Sequence, residues 1–68
     1  MTLKQHRTKK GLSLRDVEKL TGISNSYISL LENKKRKPSL HTSALLAQCY
    51  KVKISTIIRC FGGINADL

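Results

Sequence analysis

Residues 20–38, LTGISNSYISLLENKKRKP, decide how the chain is read. Gly22 interrupts a helical pattern, Ser24 is a residue type that caps a new helix, and Tyr27, Ile28 and Leu31 follow along one stripe. The stretch predicts a helix over about 24–33, entered through a tight turn. That turn, TGIS, has its glycine early and an apolar residue next. This is the pattern of a corner between two short helices, in which Ile23 plugs the angle and Ser24 caps the second helix. Directly behind come Lys34, Lys35, Arg36 and Lys37. A helix whose only task is burial has no use for such a run, whereas a helix presented to a polyanion does.

Punctuation elsewhere extends the reading. Gly11, Gly22, Pro38 and Gly62-Gly63 cut the chain into helix-sized pieces, and alternating strand patterns are scarce, so the fold class is all-α. A first helix over residues 2–10 starts at Thr2 as N-cap and stops at Gly11, with Lys9 and Lys10 in its last turn complementing the helix dipole. A second, over about 13–21, opens at Ser13 with Asp16 in near capping-box register and turns Leu14, Val17 and Leu20 inward. A fourth begins at Pro38-Ser39, buries Leu40, Ala44, Leu45, Ala47 and Tyr50, and ends near Lys51. A short fifth runs from Ile54 or Ser55 to Phe61. The remainder of 62–68 is expected to pack loosely. Residues 1–68 read as a single domain, and Met1 reads as a native start. One alternative makes the chain one part of a longer protein, with FGGINADL opening a linker.

Composition narrows the partners. The 68 residues carry 13 Lys plus Arg against 4 acids, a formal charge of +9, which favours nucleic acid first and an anionic membrane surface second. Phe61, Tyr27 and Tyr50 are the only aromatics, so the core is aliphatic. No run reaches the roughly 18 apolar residues of a membrane span, and the charged N-terminus is not followed by a secretory apolar stretch. Cys49 and Cys60 then read as free thiols of a reducing compartment, buried as small apolar residues. The spacings of these cysteines, His6 and His41 match no zinc pattern, and no metal or other cofactor is expected. Nothing brackets a nucleophile, and so small a helical chain has little room for a water-excluding pocket, so an enzyme is not expected.

The skeleton Leu3, Arg7, Gly11-Leu12-Ser13, Val17, Gly22-Ile23-Ser24, Ile28-Ser29, Glu32-Asn33, Pro38-Ser39-Leu40, Leu46-Ala47, Val52 and Ile57-Ile58 resembles a known family. It is that of the phage repressor and Cro-like, xenobiotic-response-element-type helix-turn-helix regulators of bacteria, phages and plasmids. The resemblance spans residues 3 to about 61. It implies a compact five-helix bundle of lambda-repressor-like type, in which helix 3 enters the major groove of double-stranded DNA while helix 2 crosses the backbone. It also implies a sequence-specific, cytoplasmic transcriptional regulator, a repressor acting as a homodimer on a two-fold related operator. Family dimers often form through helix 5. Here Ile54, Ile57, Ile58 and Phe61 either supply that apolar patch or close the core. The rival reading is a protein-interaction module of the same fold, an antitoxin or an anti-repressor's partner.

Carried over residue by residue, Asn25, Ser26 and Tyr27 occupy the exposed start of the recognition helix, with Ser29 and Leu30 one turn on. Asn25 has the amide that pairs with adenine N6 and N7, Ser26 bonds several base edges or phosphate, and Leu30 offers only an apolar touch to a thymine methyl. Tyr27 suits a phosphate contact through its hydroxyl or a place on the core edge. Phosphate contacts are assigned to Arg15, Ser24, Asn33, Lys34, Lys35, Arg36 and Lys37, which position the protein without reading sequence. Lys4, Lys9 and Lys10 contribute long-range field. Arg7 and Glu32 match a family ion pair between helices 1 and 3. The sequence departs from the family at Leu14, usually glutamine; at Glu18, commonly alanine; at His6, usually apolar; and at Lys51, often glycine.

Overall fold

The computed structural model describes residues 1–61, and the expected loose tail at 62–68 lies outside the described residues. Five helices follow in order: α1 (Leu3–Lys9), α2 (Leu14–Thr21), α3 (Asn25–Glu32), α4 (Leu40–Tyr50) and α5 (Ile54–Arg59). There is no strand among the described residues. Each of the first four helices starts on a hydroxyl residue. Thr2, Ser13, Ser24 and Ser39 accept the backbone N–H of Gln5, Asp16, Tyr27 and Thr42. Such a cap stabilises a helix by about 1 kcal/mol. At Thr2 and Ser13 the bond is reciprocated by Gln5 and Asp16, closing full capping boxes.

Three of the helix ends show a Schellman closure, the third being that of α4, where the N–H groups of Lys51 and Val52 donate to Gln48 and Ala47. After α1 the backbone N–H groups of Gly11 and Leu12 donate back to Thr8 and Arg7, and after α3 those of Lys34 and Lys35 donate to Leu31 and Leu30. The left-handed residue is Gly11 in the first case (φ 71°) but Lys34 in the second (φ 59°). Lys51 repeats the exception after α4 at φ 57°.

The core gathers Leu3, Val17, Ile28, Leu31, Leu46, Ala47, Tyr50 and Ile57, drawing on all five helices. Full burial of a large aliphatic side chain is worth about 2 kcal/mol, and so small a chain needs every one of them. α4 packs on α2 and α5, while α3 is held by α2 on one side and α1 on the other. The side-chain hydroxyl of Tyr50 is buried and without a hydrogen-bond partner. That burial, with Glu32 nearby, pushes its pKa up.

Several inward assignments from the sequence need correction. Leu20 is 66% exposed and Leu40 70% exposed, and Ala44 is exposed as well. In α2 the inward step after Val17 falls on Thr21, four residues on, whose hydroxyl donates to the Val17 carbonyl at 2.7 Å. In α4 the buried stripe is Ser43, Leu46, Ala47 and Tyr50. Leu40 opens the helix at the edge of that stripe. Ala44 is turned about 100° from Ser43, out of contact with the core. Leu46 and Ser43 had not been placed in the interior. Ile57 is fully buried and closes the core, which removes it from any patch available to a second chain.

Candidate nucleic-acid interface

The corner that aims α3 is built locally. Gly22 takes a left-handed conformation (φ 79°), and a Cβ there would meet nothing within 4 Å. The glycine is needed for its backbone angle alone. Its N–H donates to the Glu18 carbonyl at 2.8 Å, and the N–H of Ile23 donates to the Thr21 hydroxyl at 3.1 Å. Ile23 then packs against the core as the plug of the angle, and Ser24 caps α3.

α3 has two faces of opposite character. Ile28 and Leu31 are buried and bind it to the bundle. Ser26, Leu30 and Asn33 form the exposed face, with Asn25 and Ser29 half-buried at its border. Leu30 is 39% exposed, an isolated apolar side chain on an otherwise polar face. Tyr27 is half-buried with its side chain packed against the core. Among the described residues the first turn of α3 itself holds no acid, although a carboxylate of α2, that of Glu18, reaches its first residue.

Behind α3 the chain turns through Asn33 to Lys37, all exposed. The Asn33 amide donates to the Ser29 carbonyl at 2.9 Å and caps the helix it terminates. Lys34 sits close enough to act electrostatically on the Cys60 thiol: burial pushes that thiol's pKa up, while the N-terminal amino group and Lys34 oppose the rise. Arg15 is exposed near the start of α2, whereas Leu14 packs against the core.

A strut fixes α3 from behind. The Arg7 guanidinium donates to both Glu32 oxygens, at 2.6 and 3.1 Å, and a third N–H reaches the Leu12 carbonyl at 2.8 Å. Both side chains are more than nine-tenths buried. The Glu32 hydrogen bond holds the Arg7 pKa above its ordinary value, against the opposing effect of burial. The pair expected from the sequence is thus in place, and it links the ends of α1 and α3.

One contact was not anticipated. The Asn25 amide nitrogen donates to a Glu18 carboxylate oxygen at 3.0 Å, joining α2 to the first residue of α3. Glu18 stood out in the sequence only as a departure from the family, and nothing local signalled its partner. Elsewhere, no three His, Cys, Asp or Glu side chains among the described residues gather as metal ligands. Cys49 and Cys60 are free thiols, half-buried rather than fully enclosed. No helix of the described residues is long and apolar enough to cross a membrane.

A capped, exposed helix set by a glycine corner across a second helix, inside a five-helix bundle, defines a helix-turn-helix protein. The helix-turn-helix family model of Cro/C1 type matches residues 3–57, and the chain belongs to that family. Its members are DNA-binding regulators, and this chain is one in that general sense. No individual curated protein and no solved structure matches it.

Proposed function

We propose that the chain is a sequence-specific transcriptional repressor that binds a two-fold related operator as a homodimer, with α3 of each copy in the major groove. The observation that carries this reading is the division of α3: a buried rail of Ile28 and Leu31, a small polar outer face, and an exposed basic turn immediately behind. Asn25, Ser26, Ser29 and Leu30 then meet base edges, with the Tyr27 hydroxyl at their margin. Arg15, Ser24, Asn33 and the Lys34–Lys37 run meet phosphates. One such helix makes too few base contacts for high specificity, and two copies about one DNA turn apart supply the rest. The dimer contact is assigned to the half-buried Ile54 and Ile58 of α5 and to the half-buried Phe61 just beyond it, now without Ile57.

The test is fluorescence anisotropy against the DNA upstream of the chain's own gene, with scrambled duplex as competitor. Preference for the upstream DNA by at least about a thousandfold, the lower end of the usual ratio of specific to non-specific binding, supports sequence-specific binding. Equal affinity for both DNAs removes it. Asn25→Ala should erase preference at one base pair of each half-site while leaving scrambled DNA bound as before. Sedimentation equilibrium with and without operator checks the dimer.

A further inference from the structure

The carboxylate of Glu18 is committed to the recognition helix, and that commitment has chemical content. The other described acids have structural tasks: Asp16 closes the α2 capping box and Glu32 holds Arg7 of α1. Glu18 is half-buried on α2 and reaches across the corner to Asn25, seven positions along the chain. A carboxylate accepts hydrogen bonds and donates none, so only the NH2 end of the Asn25 amide can face it. The bond therefore fixes which way the amide is turned. With one N–H held by Glu18, Asn25 has its carbonyl oxygen and its second N–H left to offer, with the oxygen and nitrogen ends in one fixed order.

We propose that Glu18 is a specificity-determining positioning residue, which acts by locking the Asn25 amide so that it pairs with adenine and not guanine. This rests on the reading of α3 as the base-reading helix. Adenine presents an acceptor at N7 and a donor at N6, which the locked amide matches. Guanine presents acceptors at both N7 and O6, and one of them meets the Asn25 carbonyl oxygen. An amide free of Glu18 turns over and swings, and its preference between the two purines weakens.

The experiment is selection from a fully randomised duplex library by the unchanged protein and by Glu18→Ala, Glu18→Gln, Asn25→Ala and the Glu18→Ala/Asn25→Ala pair. Circular dichroism on each variant confirms helical content. The unchanged protein should favour adenine at one position of the half-site. Glu18→Ala should lose about tenfold of that preference, at the same position where Asn25→Ala loses it, and the double variant should lose no more than Asn25→Ala alone. Glu18→Gln, whose amide oxygen still accepts the Asn25 N–H, should keep the preference within about threefold. Unchanged preference in Glu18→Ala would overturn the proposal, as would a shift at a position that Asn25→Ala leaves alone, which would mean that Glu18 reads a base directly. A Glu18→Gln profile as relaxed as that of Glu18→Ala also overturns it, by assigning the effect to charge. If the unchanged protein selects no sequence at all, both the base-reading assignment and this one fall. If Asn25→Ala alone alters selection, only this one does.

Discussion

Lys51 and Lys34 occupy backbone conformations that glycine adopts freely and that cost another residue about 1–2 kcal/mol. Lys51→Gly should therefore raise stability by about 1 kcal/mol, partly offset by the greater freedom of the unfolded glycine, and a denaturant midpoint measured by circular dichroism reads it. Asp16 gives a pH signature. Accepting the Ser13 backbone N–H holds its pKa below the ordinary value of 3.8. A carboxyl with a lowered folded pKa adds stability that is complete above the unfolded value and is lost as pH falls through the folded one. Asp16→Asn should lower the melting temperature slightly at neutral pH, flatten its fall below about pH 4, and converge with the unchanged protein at acid pH. The Thr2–Gln5 box, having no carboxylate, provides the pH-insensitive counterpart. Both caps were legible in the sequence because capping needs only neighbours three residues apart. The Glu18–Asn25 bond was not, since its two ends meet only once the angle between α2 and α3 is set.

At the scale of elements, α3 has little helical stability of its own. It has eight residues, no acid in its first turn and no cation in its last. Helices this short are marginal in isolation, so α3 is held by Ile28, Leu31 and the Arg7–Glu32 strut. Removing one partner of a buried pair leaves the other charge unmatched, and Glu32→Ala should cost about 3 kcal/mol. The Arg7→Met/Glu32→Leu pair should recover most of that loss, and thermal melts of both variants decide the matter. Element boundaries followed Gly11, Gly22 and Pro38 closely, because a backbone break is a local event. The faces were harder to read. Leu20 and Leu40 have residue types that belong inside, yet the inward stripe passes through Thr21 and begins in earnest at Ser43. Periodicity gives a stripe's spacing, while its rotation depends on which neighbours arrive.

For the molecule as a whole, a charge of +9 is gathered on a body with principal extents of 33 × 21 × 19 Å. Such a field draws any duplex DNA, and its grip weakens steeply with salt. If about three to five cations engage phosphates, log affinity should fall with log salt at a slope near −3 to −4. Lys35→Ala should weaken every duplex alike and flatten that slope by about one unit, as read by anisotropy over a salt series. A sequence-dependent effect of Lys35→Ala would place it among the base readers instead.

The strut behind α3 has a consequence for how such a protein changes over time. Arg7, Glu32, Ile28 and Leu31 hold the helix by its inner side, and none of them is on the face turned outward. The outer positions Ser26 and Leu30 can therefore be exchanged with little loss of folding stability. On the proposed reading of α3, retargeting to another DNA sequence is a matter of substitutions at the surface, and lineages of the same bundle can diverge in what they recognise while inheriting one unaltered interior.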